Sequence, residues 1–200
     1  AVDVAKLLRG QVNQLVFERG IGDGRMYYTA RLKIYQPVED VKAIDRGIII
    51  ARKYERADCT PELEKPCEAI ASAKIGEIVR VRLTVVAPNE LNFVRINDPL
   101  PGGAEAIDTS LKTSQSLDLD AAPDFGGLYG WGWWWFSNTD IRDDSVAIFA
   151  TYLPAGTYEY TYTMRPSIAG EFKVMPAAAE EQYFPEVFGR SDGGKFVIAR

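Results

Sequence analysis

The chain has 200 residues, 46% hydrophobic and 26% charged, a composition that builds a full core without metal or disulfide staples. It contains no histidine, which excludes Ser-His-Asp and Cys-His catalysis and every imidazole metal site. A net charge of -5 lacks the basic face that nucleic acid requires, and no apolar run approaches the roughly 20 residues of a membrane helix.

The chain begins at Ala1, and its first apolar stretch is broken by Lys6, Arg9 and Gln11, so it reads as a piece of something longer with any export signal upstream. Gln14 to Glu18 reads as a short strand. From Arg25 to Tyr35, apolar residues at Met26, Tyr28, Ala30, Leu32 and Ile34 alternate with polar ones, the pattern of a half-buried strand. The Gly20-Ile21-Gly22-Asp23-Gly24 stretch between them lacks the spacing of a phosphate loop and reads as a turn. Gly47 to Ala51 is a solid apolar run, suited to a strand covered on both sides. Alternation returns in Ile78 to Ala87, Val146 to Tyr152, Gly156 to Arg165, Glu171 to Met175 and Lys195 to Ala199. Turn signals separate these runs, at Ala87-Pro88-Asn89, Asn97-Asp98-Pro99, Leu153-Pro154-Ala155-Gly156 and Ala169-Gly170. Many short strands with regular turns predict an all-β fold, an antiparallel β-sandwich. Gly103 to Gly127 reads as a long loop. Pro176 to Phe184 holds three alanines and two glutamates and predicts one or two helical turns held by packing.

The two cysteines, Cys59 and Cys67, flank a polar segment with two prolines. Their spacing is not C-x-x-C and no second pair completes a metal tetrahedron. A loop-stapling disulfide, which requires an oxidising compartment, is the preferred reading; two free thiols in a cytosolic loop is the other. Neither Asp118-Leu119-Asp120 nor Asp140-Ile141-Arg142-Asp143-Asp144 has calcium-loop spacing, and the second reads as a solvated turn. No metal or cofactor is expected.

All four tryptophans, Trp131, Trp133, Trp134 and Trp135, lie in one stretch. They are candidate contacts to a neighbouring domain or to a ligand. Packing is the preferred reading, and an exposed platform that binds carbohydrate or protein is the alternative. Tyr158, Tyr160 and Tyr162 share a strand face and read as core. Near the C-terminus, Gln182, Tyr183 and Phe184 place two large aromatics on a connecting segment, which reads either as a contact with another surface or as a loop folded back on its own sandwich. No nucleophile motif is present, so the chain is expected not to be an enzyme.

At this point the sequence resembles a known family. Arg142-Asp143-Asp144-Ser145-Val146, Phe149-Ala150, Leu153-Pro154-Ala155-Gly156-Thr157-Tyr158, Gly170-Glu171-Phe172-Lys173-Val174 and Ala179 to Ser191 resemble the C-terminal macroglobulin-like domain of bacterial alpha-2-macroglobulins. Arg46-Gly47, Arg52-Lys53-Tyr54 and Gly76 to Val81 are similar to its first strands, and Asp98-Pro99-Leu100-Pro101-Gly102-Gly103 to a following loop. Tyr27 to Leu32 resembles the strand that closes a preceding CUB-type module. The resemblance therefore divides the chain into 1–36, the end of that module, and 37–200, the macroglobulin-like sandwich.

The resemblance implies a non-catalytic domain of an extracytoplasmic protease inhibitor. Its partners would be the thioester domain of its own parent chain and the proteases that the parent traps. Family members carry a reactive thioester in a separate domain, and an aromatic on the terminal domain covers it. That segment often reads Met-Tyr; here it is Gln182-Tyr183, with Phe184 following. This chain lacks the Cys-x-Glu-Gln thioester motif, since Thr60-Pro61-Glu62 follows Cys59 and Glu68-Ala69-Ile70 follows Cys67.

Overall fold

The computed structural model describes residues 7, 10–30, 35–60, 66–108 and 135–200. The chain divides into two compact units, Ala1–Tyr35 and Gln36–Arg200. In the first, Phe17 stacks on Tyr28 with ring centroids 4.5 Å apart, and an Arg19 guanidinium N–H donates to the Gly24 carbonyl. The strands expected at Gln14 to Glu18 and Arg25 to Tyr35 are not formed among the described residues; Arg31 to Ile34 lie outside them. Alternation alone leaves ladder hydrogen bonds unmade where no partner strand lies alongside.

The second unit carries, among its described residues, β1 (Ile44–Arg46), β2 (Ile49–Arg56), β3 (Ser72–Lys74), β4 (Val79–Ala87), β5 (Leu91–Pro99), β6 (Ala104–Ala106) and β7 (Asn138–Ile141). The remaining strands are β8 (Ser145–Leu153), β9 (Gly156–Pro166), β10 (Gly170–Val174), β11 (Ala178–Glu181), β12 (Phe188–Arg190) and β13 (Gly194–Ala199). They form a six-stranded sheet β1-β12-β11-β5-β8-β7, a four-stranded sheet β2-β4-β9-β6 and a three-stranded sheet β10-β13-β3. All pairings between strands are antiparallel except β13 with β3. The fold is thus an all-β, mainly antiparallel sandwich.

One core joins the three sheets. Val79, Val81, Leu83, Val85 and Ala87 all point inward from β4, the period-2 burial its sequence dictates. Val94 and Ile96 of β5, Val146 and Ile148 of β8, and Phe196 of β13 meet the same cluster. Burying each large aliphatic side chain contributes about 1.5–3 kcal/mol.

Several expectations are corrected. In the Gly47 to Ala51 run only Ile48 and Ile50 are buried, while Ile49 is 42% exposed, so the strand is covered on one face. Asn97-Asp98-Pro99 is not a turn but the end of β5. Asp140 and Ile141 belong to β7, and the bend falls at Asp143 and Asp144. Of the long segment after Gly103, the described part contains β6. The helical turns expected between Pro176 and Phe184 are instead the strand β11, paired on both sides, with β5 and with β12. Two ladders outweigh the small helix preference of alanine and glutamate, a few tenths of a kcal/mol per residue. The helical turn among the described residues is a 3-10 turn at Val38–Asp40.

Candidate functional site

Gln182, Tyr183 and Phe184 lie at the tip of the hairpin that joins β11 to β12. All three are exposed, Tyr183 at 69%. Exposed does not mean loose here. The Glu181 N–H donates to Val187 (3.0 Å), the Phe184 N–H to Glu181 (3.2 Å) and the Val187 N–H to Phe184 (2.8 Å), which closes the tip on itself. The tip is also fastened to the neighbouring strand. The Gln182 N–H donates to the Phe93 carbonyl at 3.0 Å. The buried Glu181 carboxylate accepts from the Asn92 N–H at 2.6 Å, a charge-assisted bond of the stronger kind.

The residues after the tip anchor its return strand. Gly189 of β12 passes so close to the residue just ahead of β2 that an added Cβ would sit 2.0 Å from the Ile48 carbonyl oxygen, so only glycine fits. The Arg46 guanidinium lies 5.8 Å over the Phe188 ring, and Arg190 Nε donates to the Lys42 carbonyl at 3.1 Å. Ser191 Oγ accepts from the Ala177 N–H at 3.0 Å and donates to the Asp192 carbonyl at 3.1 Å. The Phe188-Gly189-Arg190-Ser191 run is therefore a clamp that sets where Tyr183 stands.

A buried ion pair fixes the other end of β5. Arg52 of β2 and Asp98 of β5 meet at 2.5 Å, with side chains 5% and 0% exposed. Tyr162 donates its hydroxyl to the second Asp98 oxygen at 2.8 Å, and Arg52 also donates to the Pro99 and Met175 carbonyls. Burial pushes the Asp98 carboxyl up, opposed by the Arg52 charge and the Tyr162 hydroxyl. Burial, then the Asp98 charge, drives the Tyr162 phenol far above its ordinary range. The group cross-links two sheets and reaches the carbonyl just ahead of the tip hairpin.

Residues 47–186 match the family described as the bacterial alpha-2-macroglobulin MG10 domain. The chain belongs to that family. A protein named alpha-2-macroglobulin homolog, from Nostoc sp., is 26% identical over 99% of this chain and 10% of its own length. Circularly permutated Ras protein 2 of Dictyostelium discoideum is 27% identical over 88% of this chain and 4% of its own. The crystal structure of Salmonella alpha-2-macroglobulin reacted with methylamine matches with a TM-score of 0.58 at 19% identity, over 80% of this chain and 10% of that one. At that identity the likeness concerns the fold. This MG10 domain thus spans a tenth or less of each of these three proteins.

Trp135 is half-buried: its ring lies 5.4 Å from Tyr158, and its Nε1 N–H donates to the Glu159 carbonyl at 3.1 Å. Phe136 meets Tyr160 edge-on at 5.3 Å. The polar handle and one face of this indole are thus engaged by its own domain. Trp131, Trp133 and Trp134 lie outside the described residues. Among the described residues no cluster of His, Cys, Asp or Glu is arranged to hold a metal, and no helix is long and apolar enough to cross a membrane.

Cys59 and Cys67 are joined in a disulfide. Arg80 donates to the Cys59 carbonyl at 2.8 Å and Lys53 to the Cys67 carbonyl, which ties the bridged loop to β4 and β2. The bridge closes a loop over a sequence separation of 8. Its reduction is expected to lower stability by about 2.5 kcal/mol, the loop-closure value for a ring of that size. Urea denaturation with and without reductant reads this directly; unchanged stability would mean that the bridge restrains nothing.

Sequence reasoning pointed to Tyr183 but missed Glu181 and Phe93, which hold it. Glu181 looked like part of a helix. For Phe93 a signal existed: adjacent apolar residues Phe93-Val94 break the alternation of β5. A shallow polar cleft of about 250 Å³ beside Gln182, lined by Arg95, Asn97, Arg142 and Ser145, had no sequence signature.

Proposed function

We propose that this MG10 domain is a non-catalytic lid in an alpha-2-macroglobulin-type protease inhibitor, in which Tyr183 covers a thioester carried by another domain of the same parent chain. The observation that carries this reading is Tyr183 itself, a large aromatic 69% exposed at the tip of a hairpin clamped from both sides. An exposed ring on a rigid support suits contact with a partner and contributes little to its own fold. A thioester is lost once water or an amine reaches it, and an aromatic ring excludes both at low entropic cost. Proteolysis of the parent would pull the lid away and let a lysine of the protease attack.

Family membership supports the lid, and the Nostoc relative carries the alpha-2-macroglobulin name. Gln182 keeps the tip polar on one side, so the covering falls to Tyr183 and Phe184. The disulfide fits an extracytoplasmic location. Residues 1–36, which hold the first unit, are read as the end of a CUB-type module. A binding module using the tryptophan stretch is less well supported, because Trp135 is engaged within its own domain.

The test uses the full-length protein that carries this chain. Methylamine should attack the thioester carbonyl, forming an amide and releasing one cysteine thiol, with the amine proton passing to sulfur. One thiol should titrate after methylamine and after protease cleavage, and none before. No released thiol in either treatment would overturn the reading.

A further inference from the structure

We propose that Phe93 is a positioning residue for Tyr183, a second ring that sets the angle of the lid before it meets its partner. The inference rests on the lid reading above and adds a residue to it.

Phe93 has φ 52°, the left-handed region that a bulky side chain rarely adopts. Its ring is 46% exposed, so core burial does not compensate for that backbone. Regular alternation from Leu91 would send Phe93 inward. Instead Leu91 and Val94 both point inward, three residues apart, and across the ladder so do Leu153 and Ala150. The left-handed residue shifts the phase of the strand and leaves its own ring outside. There it meets Tyr183 edge-on, with centroids 5.1 Å apart and planes at 89°. The same turn of backbone presents the Phe93 carbonyl to the Gln182 N–H and the Asn92 N–H to Glu181. An unusual backbone, an exposed ring and two hydrogen bonds thus converge on one neighbour.

The consequence is pre-organisation. An exposed tyrosine samples several rotamers, and each must be given up on closing over a partner. An edge-to-face neighbour narrows that choice in advance.

The experiment measures methylamine-driven thiol release from the uncleaved full-length protein. Phe93→Ala should raise the rate roughly three- to tenfold, the value of one aromatic pair. Phe93→Gly should do the same with a higher thermal midpoint than Phe93→Ala, since glycine adopts positive φ without strain. Phe93→Tyr keeps the ring and should stay within about twofold of wild type. In the Phe93→Ala/Tyr183→Ala double variant the rate should equal that of Tyr183→Ala alone, because a positioning ring has nothing left to position. Wild-type rates for the Phe93 variants beside a raised Tyr183→Ala rate would overturn this inference and leave the lid in place. An additive double variant would overturn it too. Wild-type rates for every variant, Tyr183→Ala included, would remove the lid and Phe93 with it.

Discussion

Asp98→Ala is expected to destabilise the fold by about 3–5 kcal/mol, the cost of leaving one partner of a buried ion pair alone. Arg52 is 5% exposed and would keep only the Pro99 and Met175 carbonyls as acceptors. Tyr162, also buried, would lose the acceptor of its hydroxyl. In the native fold burial works against the Arg52 charge and Asp98 more than offsets it, raising its pKa; the variant loses that offset, yet a guanidinium keeps its proton throughout the ordinary pH range. The loss therefore cannot be relieved by shedding the proton. The Arg52→Met/Asp98→Leu/Tyr162→Phe variant should recover most of it, since apolar groups of similar volume need no partner. Urea denaturation of the three proteins decides this; an Asp98→Ala loss below about 1 kcal/mol would mean that water reaches the pair.

Tyr183→Ala should behave in the opposite way, with little change in stability and a large change in function. Its ring is mostly in water, so its removal should shift the fold by no more than about 0.5 kcal/mol. If Tyr183 is the proposed lid, its loss in the full-length protein removes a central interface contact, worth about 2 kcal/mol or more. That is about a thirtyfold rise in the population open to water and amines. Thiol release without protease cleavage should rise accordingly, while Tyr183→Phe, which keeps the ring, should remain near wild type. Phe184→Ala is the natural companion: it is exposed and adjacent, and a smaller rise would mark it as rim. A Tyr183→Ala rate equal to wild type would leave the residue as an exposed ring whose contact is Phe93 of its own domain.

Strand periodicity governs the part of the fold that was legible in the sequence. Ile78 to Ala87 alternates cleanly because one face of β4 lies on the core; Val146 to Tyr152 and Gly156 to Arg165 are strands too, though Val146 to Ile148 and Tyr162 to Met164 are buried on both faces. The family motif around Gly189 was also legible, and the structure supplies its reason: a backbone crossing too close for a Cβ. Tertiary structure decided what alternation cannot carry. Asn97-Asp98-Pro99 has the letters of a turn, yet becomes strand because Ser145 to Ala147 of β8, far away in sequence, pair with it, while Arg52 meets Asp98 from another sheet. Ala178 to Glu181 has the letters of a helix, yet β5 and β12 offer ladders on both sides. Phe93 stands outside because its left-handed backbone shifts the phase of β5, and Tyr183 finds its ring there only when the hairpin is fastened to that strand. Local pattern specifies which face of a strand is apolar; which strands meet, and which charges and rings they bring together, depends on contacts between residues distant in the chain.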